Sequence, residues 1–417
     1  MTSATLRSSL LLVGLLGSAC ASATNGYFST GYGVKAQGIA GVGIALPQDG
    51  LAAATNPAGT AYTGNRTDVG LTLFQPDRGA DISGNNGGPG VSLDGHYDGN
   101  DSKRFLIPEV GYVRQIDPQW VAGVAVYANG GMNTDYGRNP FAAFGATGSA
   151  GVNLEQLFVS PSLAYKLSAD HAVGIALNLA YQRFEAKGIQ IFAGNGASSA
   201  PANLSDQGRD TATGWGLRIG YTGKLTPALT LGATYAGKTR MGRFDKYKGL
   251  FAEQGDFDVP ANYGVGLAWQ ASSALTLAAD VQRIEYSGIK AIGNSLFSGA
   301  QFGAANGPGF GWRDVTAVKL GASYDVSPAL TLRGGYSHVS QAVPSTETLL
   351  NILAPGVVQD HLTLGATARQ GAGEWSFFLS HAFSKTVSGA IPANYGAGTA
   401  NLHMAQNSVG IAYGWKY

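Results

Sequence analysis

Charge is what this chain has least of. Asp, Glu, Lys and Arg make up 13% of its 417 residues, against about 25% in an ordinary globular protein. A formal net charge of +1 leaves no basic footprint for nucleic acid, which is excluded as a partner. Cysteine occurs once, at Cys20, so there is no disulfide framework. His96, His171, His338, His361, His381 and His403 show no metal-ligand spacing, and no metal or other cofactor is expected. Long hydrophobic runs are missing too. After the first residues, no apolar stretch approaches the about 20 residues that a membrane helix needs.

What is present begins with an address. Met1 to Ala23 carries Arg7, an apolar run from Leu10 to Leu16 and the small residues Ala21-Ser22-Ala23, the order of a cleavable secretory signal. Cleavage after Ala23 would remove Cys20. The competing reading makes Cys20 a lipidated first residue, but Gly17 stands where such sites usually want leucine.

The rest of the chain alternates with a period of two. Val409, Ile411, Tyr413, Trp415 and Tyr417 fall on one side, with Ser408, Gly410, Ala412, Gly414 and Lys416 on the other. The pattern recurs in Trp215-Leu217-Ile219-Tyr221, Tyr263-Val265-Leu267-Trp269, Val318-Leu320-Ala322-Tyr324 and Leu362-Leu364-Ala366-Ala368. A greasy outside and a small or polar inside is barrel alternation. A closed barrel is also the one helix-free way to satisfy every backbone group in a membrane. A soluble sandwich or a secreted solenoid would not place apolar residues where water should be.

Short turns punctuate the strands at KLTPALTL from Lys224, QASSALTL from Gln270 and DVSPALTL from Asp325, with related turns at Gln115, Lys166 and Gln370. Pro and Ser set or stabilise such bends. Six short turns with both chain ends on the same side give seven hairpins and fourteen strands, an even number as in bacterial single-chain barrels. Long connections fall near 76–104, 129–153, 187–212, 241–258, 288–313, 341–356 and 388–403. Tyr112, Tyr127, Tyr165, Tyr221, Tyr235, Tyr324 and Tyr336 lie near predicted strand ends and are expected in the interfacial girdles.

The expected fold is therefore all-β: a 14-stranded antiparallel transmembrane barrel over 67–417, in the bacterial outer membrane. About forty Gly- and Ala-rich residues, 24–66, precede it, and small residues would let them pack in the lumen as a hatch.

Asn25-Gly26, the run Gly38-Ile39-Ala40-Gly41-Val42-Gly43 and Asn56-Pro57-Ala58-Gly59 resemble the hatch segment of the FadL/TodX family of outer-membrane hydrophobic-compound transporters. NGGMNTDYG at Asn129, RFDKYKGLFAEQG at Arg243, VPAN at Val259, GPGFGWRD at Gly307, NILAPGVVQDHLTLG at Asn351 and AYGWKY at Ala412 are similar to that family as well. The resemblance implies a fourteen-stranded barrel filled by an N-terminal hatch. It also implies passive uptake of long-chain fatty acids or aromatic hydrocarbons, captured outside and released sideways where the third strand bends inward. That strand is expected at Trp120 to Ala128, with Gly123 as the candidate break.

Capture needs apolar surface in water. The third loop offers Ile189, Ile191 and Phe192, and the fourth Phe244, Tyr247, Leu250 and Phe251; in the family this loop pair forms the capture groove, against the plainer reading that these residues pack the loops. Strand parity points Arg218, Lys319, Arg333 and Arg369 inward, to meet a fatty-acid carboxylate or to pair with lumen carboxylates such as Asp280 and Asp325, or with the hatch. In the hatch, Asn56, Pro57 and Ala58 form a candidate rigid elbow. The expected partners are a hydrophobic solute, outer-membrane lipid and lipopolysaccharide, with the barrel a monomer. Two other functions are open to such a chain. A general diffusion porin would want a charged constriction and no plug. An outer-membrane lipase would use His338 and Ser340, oriented by Asn351 or Glu347, and needs a base hydrogen-bonded to its nucleophile.

Overall fold

The computed structural model describes residues 25–417; the expected signal segment, with Cys20, lies outside the described residues. Fourteen barrel strands follow one another: β1 Arg66–Ser83, β2 Phe105–Gln115, β3 Trp120–Asn133, β4 Gly151–Lys166, β5 His171–Lys187, β6 Asp210–Thr226 and β7 Leu229–Ala236. Then come β8 Asn262–Gln270, β9 Leu275–Ile284, β10 Val315–Ser327, β11 Leu330–Val339, β12 Asp360–Gln370, β13 Gly373–Ala390 and β14 Thr399–Lys416. Each pairs antiparallel with its sequence neighbours, and β14 closes on β1 from Arg66↔Lys416 to Ser83↔Thr399. Closure removes the sheet edges, the condition for placing strands in lipid. Two short loop strands, Gly95–Asp98 and Arg240–Met241, add to β1 and β6.

The alternation acts as read. On β8, Tyr263, Val265, Leu267 and Trp269 are all exposed, while Asn262 and Ala268 are buried, the reverse of a soluble sheet. Six tight connections occupy 116–119, 167–170, 227–228, 271–274, 328–329 and 371–372. The first and last long connections are shorter than expected, at 84–104 and 391–398. Gln75 through Ser83 continue β1 by pairing with Asn407 through Thr399. Above the membrane a strand no longer needs a greasy outer face, so the alternation fades although the backbone ladder continues.

Of the expected girdle tyrosines, Tyr112, Tyr235, Tyr324 and Tyr336 face outward and Tyr165 and Tyr221 are half-buried. Tyr127 is a correction. Val124 is exposed on the opposite parity, and Tyr127 is buried in the lumen, its ring 4.5 Å from Tyr32 and 5.6 Å from Phe158.

Residues 25–65 run inside the ring. They carry two single-turn helices, α1 Val34–Gln37 and α2 Ala52–Thr55, and a 3-10 turn at Pro57–Tyr62. Wall glycines on opposite sides of the barrel meet their backbone. A Cβ on Gly130 of β3 would lie 1.8 Å from the Tyr27 carbonyl oxygen, and one on Gly232 of β7 would lie 2.2 Å from that of Ile44. On β11, a Cβ on Gly335 would lie 2.5 Å from the Ile39 carbonyl carbon. Backbone this close leaves no room for a side chain, which accounts for part of the glycine excess.

Candidate functional site

The inner segment is held at its elbow by Asn56. The Asn56 amide donates to the carbonyls of Ile44, at 2.8 Å, and Tyr221, at 2.9 Å, while its oxygen accepts from the Ala58 N–H at 3.1 Å. Pro57 follows at the first position of the 3-10 turn, where a missing N–H costs nothing, and Pro57 and Ala58 are buried. Asn56 thus ties two parts of the segment to β6.

The four inward cations were read by parity, and contacts decide what each does. Arg218 donates to the carbonyl of Thr55 at 3.2 Å, and Lys319 donates to that of Thr30 at 2.6 Å and to Gln282 at 3.1 Å. Arg333 donates to Gln48 at 2.8 Å and Thr367 at 2.7 Å. Arg369 lies at the periplasmic end, 3.9 Å from Asp325 and 3.7 Å from Glu374. Three of the four therefore bond the inner segment directly.

Carboxylates complete the clamp. Glu109 accepts from the N–H groups of Gly33 and Val34, Asp280 from those of Gly43 and Ile44, and Asp68 from that of Gly50. Glu374 meets both Lys35 and Arg66. Of these acids the sequence reading named only Asp280; inward parity on a strand is the signal that would have found Asp68, Glu109 and Glu374. Arg218 Nε and Asp280 Oδ1 lack protein partners and share a cavity of about 20 Å³, the size of one water site.

The third strand does bend, though not at Gly123, which pairs regularly with Val113 and Ser162. The irregularity is at Asn129, skipped between Ala128↔Leu157 and Gly130↔Gln156. The β2–β3 ladder stops at Val110↔Val126. Beyond it, the inner segment takes β2's place beside β3: Ser29 N–H donates to Asn129 at 3.0 Å and Gly131 N–H to Tyr27 at 2.9 Å. The extra residue shifts the pleat, and β3 leans onto the inner segment. Phe74, Phe105, Ile107 and Ala128 form an apolar cluster at this interruption. Buried Arg78 spans its top, donating to the carbonyls of Asn133 and Ser102, both at 2.7 Å.

The loop residues expected to face water are mostly buried. Ile189, Phe192, Phe244, Tyr247, Leu250 and Phe251 belong to one hydrophobic cluster, against which half-buried Ile191 packs. Phe184 of β5 lies 5.6 Å from Phe244, 4.8 Å from Tyr247 and 4.7 Å from Phe251, ring to ring. The Tyr247 hydroxyl donates to Gly208 at 2.7 Å and accepts from Ala186 N–H at 3.0 Å; burial pushes it up to about 12. The cluster continues downward through Phe257 to Tyr27, rings 6.3 Å apart. Side chains this greasy leave water by packing on one another, and here they form the loops' own core.

Residues 18–369 match the family model described as outer membrane protein transport protein (OMPP1/FadL/TodX). The chain belongs to this family. Among solved structures it is similar to the Pseudomonas putida toluene transporter TodX, at 19% identity and a TM-score of 0.70 over 94% of this chain and 100% of the other. A Pseudomonas aeruginosa FadL homologue follows at 17% identity and 0.69, over 94% and 99%. The Ralstonia pickettii toluene transporter TbuX stands at 21% and 0.65, over 93% and 99%. At these identities the likeness carries the fold. No curated protein sequence matches the chain. Family and closed barrel together place the protein in the outer membrane.

Contacts around His338 and Ser340 bear on the lipase alternative. His338 Nδ1 lies 2.7 Å from Asp360, but the Ser340 hydroxyl accepts from Thr316 N–H at 2.9 Å. No hydrogen bond joins Ser340 to His338 among the described residues. Asn351 instead bonds Trp312, and Glu347 bonds Ser295. The nucleophile–base pair that acyl transfer needs is not assembled.

Proposed function

We propose that the protein is a passive, monomeric outer-membrane channel for hydrophobic small molecules of the fatty-acid or aromatic-hydrocarbon kind. The observation that carries this reading is the interrupted β2–β3 ladder with its apolar cluster, set beside a lumen filled by residues 25–65. A solute entering from outside meets a clamped segment below and a greasy flank in the wall. Burial of apolar surface stabilises it by about 25 cal/mol per Å², so sideways passage into lipid is downhill compared with a polar lumen.

In this reading Ile189, Ile191, Phe192, Phe244, Tyr247, Leu250 and Phe251 open as the capture site, and Asn56, Pro57 and Ala58 keep the hatch elbow rigid. Arg218, Lys319 and Arg333 serve the hatch before any ligand. The polar rim of the barrel meets lipopolysaccharide. The general porin reading has the filled lumen against it.

The test is uptake of radiolabelled toluene and oleate by cells lacking their own transporter, with and without this chain, beside conductance in planar bilayers. Added uptake of either solute with little conductance is the expected result. Conductance without added uptake would make the protein a diffusion pore.

A further inference from the structure

The lumen cations are engaged, yet several neutral polar groups beside them are not. Gln182 of β5 is fully buried and neither its amide nitrogen nor its oxygen has a partner. Its cross-strand neighbour Gln156 of β4 accepts from the Asn129 amide at 2.9 Å, and its own nitrogen faces the buried hydroxyl of Tyr27. Neither that nitrogen nor that hydroxyl meets any further partner. An amide buried unpaired, as at Gln182, is costly. On the same inward faces the chain places Leu154, Phe158 and Phe184, so an apolar side chain would fit these strands and would avoid that cost.

Together these groups make a neutral polar corner under an aromatic roof formed by Phe184, Phe251 and Phe257. It offers amide donors, an amide acceptor and a phenolic hydroxyl. The charge that acts on Tyr27 is the carboxylate of Asp258, held by Lys238 at 3.0 Å. An anionic ligand would lose its hydration there and meet a like charge.

We infer that this corner is a binding site for an uncharged hydroxyl group on a small aromatic or alkyl body. Such a group donates and accepts at once, which the two glutamines and Tyr27 can match, while its apolar part lies under the phenylalanines. The atoms are closed off from solvent, so occupancy requires the turn at Asn25–Phe28 to move aside. This inference rests on the hydrophobic-solute reading above and narrows its substrate class.

Three ring-matched probes separate the two: toluene, p-cresol and p-toluate, which differ in carrying hydrogen, hydroxyl or carboxylate. Uptake is measured as the increment over cells without the chain, for the natural protein and for Gln182→Leu. Heat-modifiable gel mobility verifies that the variant is folded, and Gln182→Glu serves as a second variant. For the natural protein the p-cresol increment should exceed that of toluene by about three- to tenfold, the effect of one or two hydrogen bonds, with no increment for p-toluate. Gln182→Leu should bring the p-cresol increment down to the toluene increment of the same variant, and Gln182→Glu should lower p-cresol as well. Equal increments for toluene and p-cresol, a p-cresol preference untouched by Gln182→Leu, or a p-toluate increment would each overturn the inference while leaving the channel reading in place. Absence of any increment, toluene included, would remove that reading as well.

Discussion

The seam where β1 meets β14 and the contact where β2 meets β3 are both antiparallel pairs in the same wall. At the seam, register runs unbroken for the full length of both strands, from Arg66↔Lys416 to Ser83↔Thr399. Between β2 and β3 it covers only Val110↔Val126 to Gln115↔Val121, and an inner segment bonds the rest of β3. Patterning does not explain the contrast, since the seam stays paired even where the alternation fades, over Gln75 to Ser83. The difference is that a backbone from elsewhere competes for β3, and that competition, rather than strand propensity, decides where the wall is weak.

The strongest way to break the contrast is at the glycines. Gly130→Ala puts a Cβ 1.8 Å from a backbone oxygen of the inner segment, so either β3 or Tyr27 must shift; added solute uptake should fall close to that of cells without the chain. Gly410→Ala on the seam meets side chains rather than backbone, the Phe378 ring at 2.2 Å and the Thr72 hydroxyl at 2.8 Å, which can turn aside, and uptake should hold. Equal loss in both variants would mean that the inner contact at β3 has no special role.

Crosslinking sharpens the same comparison. A disulfide between Ile107→Cys and Ala128→Cys, both in the apolar cluster at the interruption, should suppress uptake until a reductant is added. One between Leu73→Cys and Val409→Cys, register partners on the seam, should form readily at the spacing of a strand pair and change nothing. Unchanged uptake with the first disulfide formed would move the exit elsewhere.

A smaller effect is expected at the elbow. Asn56→Ala leaves the carbonyls of Ile44 and Tyr221 without their donor, a cost of about 1–3 kcal/mol. Planar-bilayer conductance should rise as the segment loosens, while heat-modifiable mobility of the barrel stays. The seam holds the segment as well, through Asp68 and the Gly50 N–H at 2.8 Å, and that contact is untouched by the substitution.

The smallest effect concerns the roof of the loops. Burial, with Asp258 and Glu253 nearby, pushes the Asp256 carboxyl up to about 6, above the usual value, about 4. The folded loop therefore binds this proton more tightly than the unfolded chain, and its stability falls as pH rises from about 4 to about 6, then levels off. Amide exchange in residues 244–257, corrected for intrinsic rates, should be slower at about pH 5 than at about pH 7, and Asp256→Asn should flatten the difference.

Legibility in the sequence followed the physics of each part. Strands facing lipid were readable because one face must be greasy at every second residue, and the six turns followed from Pro, Ser and Gly. Where strands leave the membrane that constraint lapses, so Gln75 to Ser83 looked like loop. Tyr127 looked like a girdle residue because aromatic identity is the same for both faces; parity decides, and it points inward. Arg218, Lys319 and Arg333 were rightly placed in the lumen, but nothing along the chain says whether a cation meets a ligand, an acid or a carbonyl. The aromatic loops illustrate the same gap, since a run of Phe and Tyr looks identical whether it faces water or another loop.

By itself, then, the sequence determined a closed outer-membrane barrel of fourteen strands, because lipid outside and backbone hydrogen bonding leave that alternation one solution. Only the tertiary structure decided that the wall yields at Asn129 rather than Gly123, that the cations clamp residues 25–65, and that Gln182 stays without a partner. Those outcomes depend on which backbone reaches a given atom first, and contacts between residues a hundred or more positions apart are not written in any local pattern.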